Sequence, residues 1–410
     1  MPGTSKSEPA SLKHVASLLW RWPSAIACFG MSLLLVSGQP AAGADLEVTI
    51  GYLERLQPPV PVLSNLETTP VDQGLAGAEL GVADSNKSGK FLGQHFSLDK
   101  RIVEHEGDLL GAARELLGAT KLLLLNMTSE DLLAVADLPE AKSALLINVS
   151  EGDVALRDRS CRQNLLHTIP SRAMLADALS QFAVQKKWTR WALVEGPQPE
   201  DNAFAEALDK STEKFDIDIR GRKVWGFGAD MRRNAAQEVP LFVQSFPEHD
   251  LLVVTDERGD FGRYLLYNGW IPRPVAGSEG LRPNAWSSAV EQHGAAQLQR
   301  RFTGAAGRSM RSIDYASWAA VRAIGEAVTQ TKSNDPAVLR AYILSDDFEL
   351  AGYKGRKLSF RPWNGQLRQP IPLMHPRAVV AQAPLEGFLH QSNEMDTLGI
   401  DQPESRCTSF

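Results

Sequence analysis

Short apolar runs alternate along the first half of this chain with segments whose apolar residues recur at helical spacing. The runs at 121–125 and 143–147 are nearly continuous, which is typical of strands buried on both faces. Strands are predicted at residues 46–52, 94–103, 121–125 and 143–147. Helices are predicted at residues 72–83, 106–117 and 128–137, the last with Thr128 as a candidate N-cap.

A second series of the same kind begins after residue 170, where Ser171 is the candidate cap of a helix over 173–184. Strands are predicted at 190–194, 217–225 and 250–255, and helices at 201–215 and up to about residue 267, while 241–246 is ambiguous. Strands that alternate with crossover helices predict parallel sheets covered by helices. We therefore expect an α/β fold of two Rossmann-like lobes.

The last third of the chain has a different pattern. Helices are predicted at 285–302 and 313–329, followed by a tail rich in proline and extended segments. The extended segments are 357–360 and 368–380, on either side of a hairpin-like turn at 363–365.

The N-terminus has the order of a secretory signal peptide. Lys6, Lys13 and Arg21 precede an apolar run at 25–36, and small residues lead to a candidate cleavage site after Ala44. A run of about 12 residues is shorter than the roughly 20 that span a bilayer. We expect export to the periplasm, with an uncleaved membrane anchor as the alternative.

Composition narrows the class of protein. A chain of 410 residues usually divides into two domains, and a net charge of −6 argues against nucleic acid as a partner. Cys161 and Cys407 are the two cysteines that follow the expected cleavage site. In an oxidising compartment they predict one disulfide that ties the C-terminus to a mid-chain loop, or otherwise two free thiols.

The chain has no nucleophile elbow, phosphate-binding loop, zinc-type HExxH or CxxC motif. Gly226-Phe-Gly228 lacks the third glycine of a dinucleotide motif and predicts a strand-end turn, and the histidines show no metal-ligand spacing. We therefore expect no catalytic residues, no metal and no cofactor, and a protein that is not an enzyme.

Polar loops follow four of the predicted strands. In open α/β sheets, ligands bind beyond the carboxyl ends of the strands, so these loops supply the candidate ligand-binding residues. Thr128 and similar hydroxyls can equally be ordinary helix caps. The candidates are Asn126, Thr128, Ser129, Asn148, Ser150, Glu151, Thr255, Asp256 and Glu279.

Several stretches resemble the type I periplasmic binding proteins, the leucine/isoleucine/valine-binding group of ABC transporters. They are Val48-Thr-Ile-Gly51, the small-residue segment 74–84, Asp314-Tyr-Ala-Ser-Trp-Ala-Ala-Val321 and Gly352-Tyr-Lys-Gly355. Other stretches resemble the substrate-binding components of ABC systems associated with PQQ-dependent alcohol dehydrogenases. These are Gly77-Ala-Glu-Leu-Gly-Val-Ala-Asp84, 89–94, 161–171, Gly280-Leu-Arg-Pro-Asn-Ala-Trp286 and 398–407.

The resemblance implies a three-crossing hinge, a small organic solute in the cleft between the lobes, and an ABC permease as partner. It implies lobes of 45–168 with 278–335 and of 169–277 with 336–400, and a C-terminal tail at 401–410 tied by Cys407. Both cysteines lie in matching stretches, which supports their pairing. The alternative function is a periplasmic sensor or accessory protein of a quinoprotein dehydrogenase, with no transport role.

The resemblance does not extend to the residues with which the broader group binds amino acids. Those proteins hold the ligand's carboxylate with a Ser/Gly-rich loop and an adjacent Ala/Thr-type loop, and its ammonium with an acid of the second lobe. Glu279 lies near the position of that acid. The loops at 126–129 and 148–151 lack the Ser-Ser-Thr pattern, and Glu151 adds a negative charge that disfavours a carboxylate.

Overall fold

A computed structural model describes residues 45–58, 69–228 and 231–410 of the chain. The first sheet consists of β1 (Leu46–Arg55), β2 (Gln94–Val103), β3 (Leu122–Asn126), β4 (Leu145–Asn148) and β5 (Leu165–His167). These five strands are parallel and lie in the order β2-β1-β3-β4-β5. Helices α1 (Leu75–Gly89), α2 (Leu109–Ala119) and α3 (Ser129–Ala136) connect the first four strands. The predicted alternation of strand and helix is confirmed in this part of the chain.

The second sheet consists of β6 (Arg190–Glu195), β7 (Asp218–Val224), β8 (Leu251–Thr255) and β9 (Val275–Gly277). They are parallel in the order β7-β6-β8-β9. The helices of this series are α4 (Arg172–Gln185), α5 (Pro199–Lys214), α6 (Ala235–Gln244) and α7 (Gly262–Leu265). Ser171 caps α4 as predicted, because its hydroxyl accepts from the backbone N–H of Met174.

The remaining helices are α8 (Ala295–Ala306), α9 (Ser312–Thr331) and α10 (Pro336–Ile343). The remaining strands are β10 (Arg282–Pro283), β11 (Leu350–Ala351), β12 (Lys357–Phe360), β13 (Leu367–Arg368), β14 (Ile371–His375) and β15 (Ala378–Ala383). They form two antiparallel sheets of three strands, β10-β14-β15 and β11-β12-β13. The predicted turn at 363–365 joins β12 to β13, and its Gly365 has a positive φ of 68°.

Three predicted elements differ from the structure. The helix expected at 285–302 begins only at Ala295, after Gly294 with a φ of 82°. Trp286 lies in an irregular segment before that helix, where its side chain is buried and stacks on Tyr315. An apolar pattern typical of a helix is here produced by a loop that packs into the core. The extended segment expected at 368–380 is interrupted at Pro370, which has no backbone N–H to donate. The helix expected to reach about residue 267 consists only of the four residues of α7.

Apolar side chains pack against both faces of each parallel sheet. The first sheet is covered by α1 and α9 on one face and by α2 and α3 on the other. The second sheet is covered by α4 and α5 on one face and by α6 and α7 on the other. We refer to the first sheet with its helices as the first lobe, and to the second sheet with its helices and the β14–β15 hairpin as the second lobe.

Part of the C-terminal third packs differently from the expected lobe boundaries, which assign 336–400 to the second lobe. The apolar side chains of α10, β11, β12 and β13 lie in the core formed by α1 and α9. Ile371, Leu373 and Ala383 pack on α4 instead. Residues 336–368 therefore belong with the first lobe, and the chain passes between the two cores near 168–171, 277–285 and 368–371.

The last residues of the chain, 395–410, form a segment that we call the C-terminal strap. The buried guanidinium of Arg361 donates to the carbonyls of residues 395, 398 and 400 and pairs with Asp396 at 2.9 Å. On the other side, the N–H of Gly399 donates to Asp177 of α4 at 2.8 Å. The strap thus contacts both lobes.

The predicted disulfide between Cys161 and Cys407 is present and fastens the end of the strap to the first lobe. The neighbouring Arg406 reinforces this anchor, because its Nε lies 2.9 Å from the carboxylate of Asp158. Among the described residues, no helix has the length and apolar character needed to cross a membrane.

Candidate ligand cleft

The carboxyl ends of the two parallel sheets meet at Arg172, the first residue of α4. Its Nη1 lies 2.8 Å from Glu151, in the loop after β4, and its Nη2 lies 2.7 Å from Glu257, in the loop after β8. The backbone N–H of Arg172 also donates to the carbonyl of Gly152 at 2.8 Å. A single guanidinium therefore joins the two lobes at the position where α/β sheets of this kind bind ligands.

This ion triad is partly shielded from water. Burial raises the pKa of the Glu257 carboxyl, and the charge of Arg172 opposes that rise. Burial acts to lower the pKa of Arg172, yet attraction to Glu257 and Glu151 outweighs it and raises that pKa above its usual value. The triad carries one positive and two negative charges, so it leaves this end of the cleft with a net negative charge.

The loop after β4 is held in shape by Asn148, which is completely buried. Its amide oxygen accepts from the N–H groups of Ser150 and Glu151, and its amide nitrogen donates to the carbonyl of Glu151 at 2.7 Å. Asn148 therefore supports the loop that presents Glu151, while its own polar atoms are engaged within the protein.

The loop after β3 lies beside the loop after β4. The N–H of Met127 donates to the hydroxyl of Ser150 at 3.2 Å, and Ser129 donates to Asp153 at 2.9 Å. Thr128 is the N-cap of α3, as the sequence predicts. The structure thus brings the first-lobe candidates together, although several of their hydroxyls are already paired with neighbouring loop residues.

A hydrogen-bond chain runs from β3 to the end of β1. The amide nitrogen of Asn126 donates to the hydroxyl of Tyr52, which donates to the carboxylate of Glu54, and both distances are 3.0 Å. Tyr52 is fully buried and Glu54 is half-buried. Burial raises the pKa of Glu54, and the hydrogen bond from Tyr52 partly offsets that rise.

In the second lobe, the candidate Asp256 shapes its own loop. Its carboxylate accepts from the N–H groups of residues 260, 261 and 262, and its backbone N–H donates to Ser278. Glu279 packs against Gly262 beside it. Thr255 is completely buried, and no partner for its hydroxyl exists among the residues that the structure describes.

Asp201, near the start of α5, completes the carboxylate-rich edge of the second sheet. Its carboxylate accepts from the backbone N–H groups of Gln198 and Glu257, at 3.1 and 2.7 Å. Burial raises the pKa of Asp201 to about 6, and the nearby charges of Asp256 and Glu200 add to that rise. Four carboxylates, of Glu200, Asp201, Asp256 and Glu257, therefore lie along this edge, and Arg258 and Arg172 pair with the first and the last of them.

Five further residues become candidates for the site once the structure is known: Tyr52, Glu54, Arg172, Asp201 and Glu257. Glu257 directly follows the candidate Asp256, and Arg172 directly follows the predicted cap Ser171. Within the described part of the chain, no three His, Cys, Asp or Glu side chains are grouped so that they could hold a metal ion.

No family model and no curated protein matches this chain. Solved structures do. A branched-chain amino acid ABC transporter periplasmic ligand-binding protein from Burkholderia xenovorans LB400 matches with a TM-score of 0.68 and 17% identity, over 88% of this chain and 99% of that one.

Two further solved structures match this chain. A leucine-, isoleucine-, valine-, threonine- and alanine-binding protein from Brucella ovis, in a closed conformation, has a TM-score of 0.62 and 11% identity over 80% and 88% of the two chains. An ABC transporter solute-binding protein from R. palustris, in complex with benzoate, has a TM-score of 0.60 and 12% identity over 89% and 100%. The chain has the type I periplasmic binding protein fold.

Proposed function

We propose that this protein is an exported solute-binding component of an ABC transporter, and not an enzyme, whose two lobes close on a small organic molecule. The observation that carries the proposal is the meeting of both parallel sheets, by their carboxyl ends, at the Glu151–Arg172–Glu257 triad. Solute-binding proteins among the solved structures of this fold support it.

The proposed mechanism is a shift between open and closed arrangements of the lobes. A solute that touches both lobes binds the closed arrangement more tightly, and it can shift the equilibrium only by that difference in affinity. The three passages of the chain between the cores are the proposed hinge. No covalent step is needed, because the closed protein would deliver its solute to a membrane permease.

The proposed location and physiological setting rest on the sequence. The expected signal peptide, residues 1–44, lies outside the described residues. The resemblance of 161–171 and 398–407 to binding components associated with PQQ-dependent alcohol dehydrogenases supports a role beside alcohol oxidation.

Native mass spectrometry of the purified protein, followed by a thermal-shift screen of alcohols, acids, amines and PQQ, tests the proposal. A true ligand raises the melting temperature in a concentration-dependent way. It should also reduce the radius of gyration in small-angle X-ray scattering as the lobes close. Turnover of any of these compounds by the purified protein, or a ligand that binds outside the cleft, would overturn the proposal.

A strain that lacks this protein separates transport from sensing. Loss of uptake of the identified solute supports the transport role. Normal uptake, combined with an altered response to the solute, supports the sensor or accessory role.

A further inference from the structure

Glu54 is the last but one residue of β1 and lies at the cleft edge of the first sheet. It is in register with Asn126 of β3, the strand whose following loop contacts the loop that carries Glu151. Its carboxylate accepts a hydrogen bond from the hydroxyl of Tyr52, which in turn accepts one from the amide nitrogen of Asn126. A carboxylate held in this way loses little further freedom when it binds a ligand.

No positive charge among the described residues pairs with Glu54. The adjacent Arg55 is turned away from it, because its guanidinium bonds to Asp131 at 2.7 Å and to the carbonyl of His105 at 2.8 Å. The segment 59–68, which follows β1 closely, contains no Lys, Arg or His in its sequence. A half-buried carboxylate without a counter-ion is costly to keep charged, and a bound cation removes that cost.

The opposite edge of the cleft has the same sign of charge. Asp201 and Asp256 accept only backbone N–H groups in the described structure, and the triad at Arg172 has one more negative than positive charge. Opposing negative groups disfavour a ligand anion placed between them and favour a cation.

We infer that the solute of this cleft carries a cationic amine, which binds the carboxylate of Glu54 in the first lobe. The inference rests on the proposed function. This binding mode differs from that of the amino-acid-binding proteins of this fold, in which an acid of the second lobe binds the ammonium. Tyr52 is a positioning residue, since it acts on the ligand only through Glu54.

Isothermal titration calorimetry of the full-length exported protein with matched probes tests this inference. The probes are linear primary amines from ethyl to octyl together with benzylamine, and for each the carboxylate and the alcohol of the same skeleton. We expect an amine to bind more tightly than its matched carboxylate and alcohol. Glu54→Gln should weaken that amine about tenfold or more, as loss of a charged hydrogen bond does.

Glu47→Gln is the matched control, because Glu47 is exposed at the other end of the same strand. It should leave the amine's affinity unchanged. Tyr52→Phe keeps the carboxylate but removes its orientation, so it should weaken the amine by less than Glu54→Gln. Unchanged melting temperatures of the unliganded variants show that they are folded.

Tighter binding of a carboxylate or alcohol, or equal amine affinity in Glu54→Gln and wild type, overturns the inference and leaves the proposed function standing. Absence of binding by every probe counts against the proposed function and, with it, the inference.

Discussion

Arg172 of the second lobe and Glu151 of the first form an ion pair of 2.8 Å at the carboxyl ends of their sheets. Glu257 approaches the same guanidinium, so removing Arg172 would leave two carboxylates facing each other. The pair therefore affects the stability of the protein and the relative positions of its lobes.

Arg172→Met should lower the free energy of unfolding by about 2 kcal/mol, because it leaves partly buried carboxylates without a counter-ion. Urea denaturation followed by tryptophan fluorescence measures the change. Arg258→Met is the control: Arg258 pairs with Glu200 in a more exposed position, and its loss should cost less than about 1 kcal/mol. Equal costs for the two variants would contradict the special role of Arg172.

Asp201 should make stability depend on pH in a defined window. Its pKa is raised to about 6 in the folded protein, above the roughly 3.9 of an unfolded chain. The folded state therefore holds a proton that the unfolded state releases, and this contribution to stability falls as pH rises from about 4 to 6. Between about pH 4 and 6, the free energy of unfolding of the wild type should therefore fall relative to that of Asp201→Asn, whose side chain at this position does not titrate. A pH-independent difference between the two proteins would disprove the assignment.

The close approach of α1 to α9 depends on Gly77. A Cβ at this position would overlap the backbone carbonyl of Asp314, which cannot move aside as a side chain could. Gly77→Ala should therefore destabilise the protein by about 2 kcal/mol. Gly118→Ala, in α2 with nothing near the added methyl, should instead stabilise it by about 0.5–1 kcal/mol. Thermal and urea unfolding of both variants, measured together, test this opposite sign.

Replacing Cys161 and Cys407 together by serine should cost about 4 kcal/mol, because the bond joins residues 246 positions apart and limits the unfolded chain. The comparison is with wild type in the presence and absence of reductant. Wild type under full reduction should match the double variant, and a variant as stable as the oxidised protein would show that the bond contributes nothing.

The fold can be predicted from the sequence where whole strands are buried on both faces. A strand buried on both faces, such as β3, is apolar along its length, and the α/β pattern follows from several such strands. The prediction fails where apolar residues of a loop pack into the core, as Trp286 does. It also fails for α10, although Asp335 and Pro336 give the cap and first-turn signals of a helix start.

The candidate site was less accessible to sequence analysis. The polar loops after β3 and β4 lie side by side at the strand ends, but the partners of each side chain depend on the folded backbone. Asn148 thus proves to be a buried support of its loop. Glu54 is not among the predicted candidates because the sequence predicts that the first strand ends at residue 52, whereas pairing with β2 extends it to Arg55. Pairing between lobes, as at Arg172, has no local sequence signal.

The disulfide at the end of the strap closes residues 161–407 into one covalent ring, which contains the whole second lobe together with α8, α9 and α10 of the first. Cys407 follows every helix and strand that the structure describes, so the ring can close only after all of these elements have been synthesised. A protease that cuts one peptide bond between residues 161 and 407 would leave two fragments still joined in one molecule. On a denaturing gel, such a nicked protein would run as a single band until a reductant is added.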